Sequence, residues 1–146
     1  MSTAIEQLIE ALRVELGVQR ATVRVEVPDA YFPVRYEALA VGAGSLRDDT
    51  TDLTKQPVPR VLAERGGQVV QEDAAAAFPD EPGFHEMRER YGGMRAQIVT
   101  GCYRDGELVA LLSIHDLRAP RSFSEEERGV CRAAASAIAG MLDGAP

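Results

Sequence analysis

Apolar residues recur at Ile5, Leu8, Ile9, Leu12 and Leu16, a stripe at helical spacing that predicts a helix from about Ala4 to Leu16. Thr3 and Glu6 supply a capping box for its first turn, and Gly17 supplies a stop. The spacing then shortens to alternation. Ala21, Val23, Val25 and Val27 alternate with Thr22, Arg24 and Glu26, which predicts a strand with its valines toward a core. On this pattern Arg24 and Glu26 face solvent unless a loop crosses them. Pro28 and Asp29 mark a turn, and a second strand from about Val34 to Val41 is expected to pair with the first as an antiparallel hairpin.

Residues from Gly42 to Thr54 are rich in Gly, Asp and Thr and read as a surface loop, followed by a short helix over Pro57 to Arg65 that Gly66 and Gly67 close. Gln68 to Gln71 is a short strand. The stretch from Asp73 to Gly83 is expected to be irregular, and a helix from about Phe84 to Tyr91 runs into Gly92 and Gly93. Strands over Met94 to Tyr103 and Leu108 to His115 flank Asp105-Gly106, the strongest hairpin signal in the chain. A second capping box, Ser124 with Glu127, opens a last helix that runs to about Leu142, with Gly144 and Pro146 beyond it.

The strand from Leu108 to Ile114 is apolar on both faces, so it is expected at the centre of a sheet covered on both sides. Only the two terminal helices have stripes wide enough to cover a whole face. The short middle helices and loops are left to cover the other, where a ligand cavity is expected. The fold class is therefore α/β (α+β), one domain over residues 1–146: a central antiparallel sheet of five to six strands, with a pocket on the loop-covered face.

Composition narrows the function. The 146 residues, 45% hydrophobic and 27% charged, are those of an ordinary globular protein. A formal net charge of −7 has the wrong sign for counterion-driven binding to nucleic acid. No apolar run approaches the roughly 20 residues needed to cross a bilayer, and the N-terminus has no secretory pattern. The two cysteines, Cys102 and Cys131, form neither a CxxC pair nor a disulfide framework, so both are read as thiols in the cytoplasm. The two histidines lack a third converging ligand, and no metal site is expected.

Tyr91-Gly92-Gly93-Met94-Arg95-Ala96, the Asp-Gly hairpin, Leu111-Leu112-Ser113-Ile114-His115 and Phe123-Ser124-Glu125-Glu126-Glu127 together resemble the GAF family of small-molecule sensory domains. Within that family the chain is most similar to the bilin-binding GAF domains of phytochrome-like photoreceptors. Those place a Cys-His pair ahead of an Arg-Ala strand and a second histidine at the end of the following hairpin. Here Phe84-His85 precedes Arg95-Ala96, and His115 closes the hairpin. Phe84 stands where the cysteine would be, so covalent bilin attachment is not expected. A non-covalent tetrapyrrole or another small organic ligand remains open.

What the resemblance and the spacing imply is a small-molecule-binding sensory domain in signal transduction. Its ligand is expected between the sheet and the Asp73 to Tyr91 segment, against Phe78, Phe84, His85, Met87, Arg88, Tyr91, Arg95, Gln97, Ser113 and His115. Arg88 and Arg95 suit a carboxylate or phosphate on the ligand, whereas Arg90 reads as a solvated helix position. The resemblance also implies a homodimer through the terminal helices. An alternative is a small enzyme on the same scaffold, similar to the free methionine sulfoxide reductases, with Cys102 as redox nucleophile.

Overall fold

The computed structural model describes residues 3–27, 32–49, 51, 53 and 56–142. Helix α1 spans Ala4–Leu16; Thr3 and Glu6 form both bonds of the capping box, and Gly17 closes the helix in the left-handed conformation. Strands β1 (Arg20–Val25) and β2 (Val34–Leu39) pair antiparallel. Each ends two residues before its expected end; β2 stops where the chain turns at Ala40, whose N–H makes the last bond to the Gln19 carbonyl. The turn expected at Pro28 and Asp29, the end of the loop at Thr54, and the stop at Gly144 and Pro146 lie outside the described residues.

Helix α2 (Pro57–Arg65) and strand β3 (Gln68–Gln71) stand where their patterns place them. The stretch after β3 contains one 3-10 turn, Ala74–Ala76. Helix α3 (Pro82–Arg90) starts two residues earlier than its apolar pattern, because proline suits the first helical turn, where its missing N–H has no partner to lose. Strands β4 (Ala96–Arg104) and β5 (Glu107–Asp116) form the expected hairpin, with Asp105 and Gly106 both at positive φ. Helix α4 (Glu125–Leu142) opens on the reciprocal bonds of Ser124 and Glu127.

The result is a mixed α/β fold whose antiparallel sheet has the order β2-β1-β5-β4-β3, with β5 at the centre. Helices α1 and α4 pack together on one face, over a core that includes Ile9, Leu12, Ile98, Leu112, Ile114 and Ile138. Helices α2 and α3 and the preceding loop cover the other face, over Leu62, Phe84, Met94, Val99 and Leu111. Alternation along β5 sends Leu112 and Ile114 to the first core and Leu111, Ser113 and His115 to the second.

Strand β1 corrects one expectation. Arg24 does not reach solvent; it is 2% exposed, and Arg20 and Thr22 on the same face are equally buried. The residues from Gly42 to Asp49 cross this face and cover it. Glu37 of β2 holds that crossing in place by accepting from the Ser45 hydroxyl and the Leu46 amide, both at 2.6 Å. Glu26, one residue past the strand, is exposed as expected.

Candidate functional site

A cavity of about 30 Å³ lies between the sheet and its loop-covered face. Its floor is Arg24 of β1, Gln97 and Val99 of β4, and Leu111, Ser113 and His115 of β5; its roof is Leu53, Gln56, Val58 and Pro59 with Phe84, Met87 and Tyr91 around α3. A void of that size holds a water or two, whereas a cavity known to admit benzene measures roughly 150 Å³.

Two arginines on β1 organise the polar end. Arg20 donates from Nε to Nδ1 of His115 at 2.9 Å, and from its terminal nitrogens to the carbonyls of Gly44 and Tyr91 at 3.1 and 2.6 Å. All three acceptors are neutral. Burial pulls the Arg20 guanidinium down to about 10, which still leaves it charged at neutral pH. Because Nδ1 of His115 accepts, the neutral ring carries its proton on Nε2. Burial, then Arg20 and Arg24, hold the His115 pKa well below its ordinary value.

Arg24 donates to the Phe32 carbonyl at 2.9 Å, to Oδ2 of Asp49 at 3.1 Å and to the Tyr91 hydroxyl at 2.6 Å. Tyr91 in turn donates to Oδ2 of Asp49 at 2.6 Å, and Thr51 donates to Oδ1 at 2.8 Å. Burial pushes the Asp49 carboxyl up, but the bonds from Tyr91 and Thr51 and the Arg24 guanidinium outweigh it, and the net shift is downward. Burial raises the Tyr91 phenol, which therefore keeps the proton it gives to Asp49. The Tyr91 ring also stacks on His115, with centroids 6.0 Å apart and planes 27° from parallel. Gln56 brings a buried Oε1 to the wall without a hydrogen-bond partner.

Of the residues singled out from sequence, Phe84, Met87, Tyr91, Gln97, Ser113 and His115 line this cavity. Gln97 donates to the Gln71 side chain at 2.6 Å. The others stand outside the wall. Phe78 packs edge-on behind Phe84, and His85 sits half-buried with its ring 5.1 Å from the same phenyl, so the two imidazoles do not share the hollow. Arg88 is tied to the Met94 carbonyl at 3.2 Å, and Arg95 is exposed. Arg90 donates to Thr51 at 2.7 Å. Sequence reasoning missed Arg20, Arg24 and Asp49. The available signal was that the strand paired to a doubly buried β5 must itself have both faces covered.

Cys102 and Cys131 are both buried in the core beneath the terminal helices, on the opposite side of the sheet from the cavity. Burial pushes each thiol up to about 12. A thiolate attack by Cys102 on a molecule in the cavity would have to pass through the sheet, so nothing here supports the enzyme alternative. Among the described residues no group of three or more His, Cys, Asp or Glu is placed to hold a metal ion.

The model of the GAF domain family matches residues 1–142. Among solved structures, the fold is similar to the blue-light absorbing form of the Thermosynechococcus elongatus PixJ GAF domain, with a TM-score of 0.78 and 23% identity over 95% of this chain and 84% of that one. It is also similar to the chromophore-binding domain of the bacteriophytochrome RpBphP3 from R. palustris, with a TM-score of 0.80 and 20% identity over 96% of this chain and 53% of that one. No curated protein sequence matches.

Proposed function

Given that the chain belongs to the GAF domain family, we propose that it is a sensory domain whose small-molecule ligand enters the cavity between β5 and the roof formed by α3 and the residues before α2. The observation that supports this most directly is the wall itself: apolar over most of its area, with Ser113, His115, Arg24 and the unpaired Gln56 oxygen as its polar groups. Phe84, Met87, Tyr91, Gln97, Ser113 and His115 make the ligand contacts. Phe78 and His85 support the wall through Phe84, and Arg88 is tied to the Met94 carbonyl, whereas Arg95 is exposed and stands apart from the wall.

A bilin does not fit this arrangement. Drug-sized ligands occupy pockets of roughly 300–1,000 Å³, and the cavity is about 30 Å³. Phe84 holds the place of the attachment cysteine, and both thiols of the chain lie beyond the sheet. The void is smaller than a benzene-sized guest needs as well, so the ligand we propose is a small organic molecule, much smaller than a tetrapyrrole, that displaces side chains of the wall as it enters.

Residues 1–146 form one such domain in our reading, placed in the cytoplasm on the strength of its two unpaired thiols. Among the described residues no helix is long and apolar enough to cross a membrane. Helices α1 and α4 leave Val14 and Met141 exposed, and these support a homodimer through that face, which sedimentation equilibrium would test.

The experiment for sensing is a thermal-unfolding screen against small organic acids, amides, alcohols, nucleotides and tetrapyrroles, run on the wild type and on His115→Ala. At least one compound of small size raises Tm in the wild type and loses its effect in the variant. No stabilising compound in the whole panel would remove the proposal.

A further inference from the structure

We propose that the ligand carries a carboxylate, and that this carboxylate replaces the Asp49 side chain on Arg24 and Tyr91; the inference rests on the sensory reading above and names the chemical class of the molecule sensed. Three observations carry it.

The first is the origin of the ion pair at the cavity end. Arg24 is fixed by β1, an interior strand, and is 2% exposed, whereas its anion comes from a loop. Asp49 thus sits as a carboxylate guest on a preformed pair of donors, the Arg24 guanidinium and the Tyr91 hydroxyl. Guanidinium and carboxylate match in planar geometry, so an external carboxylate meets the same partners the internal one does.

The second is the charge balance. Arg20, 1% exposed, reaches only neutral acceptors. Glu37, a buried carboxylate, raises its pKa from a distance but makes its own contacts to Ser45, Leu46 and Arg47. The polar end therefore holds two buried cations and one carboxylate in direct contact, and that carboxylate meets Arg24 alone. A buried cation without a paired anion is costly, and a ligand anion relieves that cost.

The third is the sign of the remaining donors. With Nδ1 of His115 filled by Arg20, only the Nε2–H remains to be offered, strengthened by the cation behind it. The Ser113 hydroxyl stands on the same face of β5. Donors at this end call for an anionic acceptor, and the apolar wall of Phe84, Met87, Val99 and Leu111 calls for a short hydrocarbon body.

The test removes the internal guest and supplies an external one. Asp49→Ala is unfolded thermally in butyrate, in butyramide and in sodium chloride of matched ionic strength, followed by far-UV circular dichroism. Butyrate raises the Tm of the variant by about 3 °C or more beyond chloride, the shift expected for roughly 1 kcal/mol in a chain of this size. Butyramide does not, and adding Arg24→Gln abolishes the difference. If Asp49→Ala does not fold alone, recovery of native circular dichroism on refolding into butyrate but not butyramide gives the same answer. Equal effects of butyramide and butyrate would overturn the carboxylate assignment while leaving a ligand cavity in place. No effect of either on wild type and variant overturns the carboxylate, whereas the broader screen decides separately whether the cavity senses anything.

Discussion

Arg20 and His115 lie directly opposite one another on β1 and β5, and the guanidinium Nε donates to the imidazole Nδ1 at 2.9 Å. A cation thus gives its hydrogen bond to a ring that must stay neutral to accept it. The ring cannot take a second proton without facing that guanidinium as a like charge.

The pH dependence of stability follows from this pair. In the unfolded chain His115 titrates near 6.5, and in the fold it stays neutral well below that. Between the two values the unfolded state binds the extra proton. Stability from this group is therefore whole above about pH 6.5 and falls as pH drops below it, by at most about 1.4 kcal/mol per pH unit. His115→Gln, which can still accept from Arg20, flattens the slope between about pH 6.5 and 5.5 in urea titrations. Identical slopes for the two proteins would show that His115 is not held neutral.

Asp49, Arg24 and Tyr91 act as one unit. Asp49→Asn leaves a buried guanidinium without its anion and costs about 3–5 kcal/mol. Tyr91→Phe removes a donor and an acceptor and costs about 1–3 kcal/mol. Arg24→Met combined with Asp49→Leu costs less than the sum of the two single changes, because neither charge is left alone. Strict additivity in a double-mutant cycle would mean that the residues do not share the bonds described.

The two thiols resist modification in the folded protein. Cys102 and Cys131 are buried, with their pKa values pushed up to about 12, so neither supplies thiolate near neutral pH. Iodoacetamide at pH 8 labels both at the rate of global unfolding, read by mass spectrometry, and labels them freely in urea. Fast native labelling of Cys102 would reopen a redox role.

Gly101 gives way to a neighbour. Tyr103 folds back over it to donate to the Leu62 carbonyl of α2 at 2.8 Å, and a Cβ on Gly101 would run into the tyrosine ring. Gly101→Ala therefore displaces the ring and costs about 1–3 kcal/mol. In a Tyr103→Ala background the same change costs far less. Equal costs in both backgrounds would remove the ring as the cause.

Much of this was legible in the chain. The stripes of α1 and α4, both capping boxes, the Asp105-Gly106 turn and the central place of β5 are local signals, and local geometry obeyed them. Phe84, Met87, Ser113 and His115 were reachable because alternation and helical spacing tell which side of an element a residue occupies. Arg20, Arg24 and Asp49 were not, for a definite reason. Polar positions in an alternating strand face solvent only if nothing crosses them, and the crossing here depends on Glu37 gripping Ser45 and Leu46. The small void has the same origin, since two guanidiniums and a carboxylate fill what an apolar reading leaves empty.

Strand β5 is the partition between the two halves of the molecule, one peptide thick. Ser113 and His115 hang on one side of it, and Leu112 and Ile114, alternating with them, bear the terminal helices on the other. The imidazole and the terminal helices thus rest on the two sides of a single backbone segment, which rises about 3.4 Å per residue.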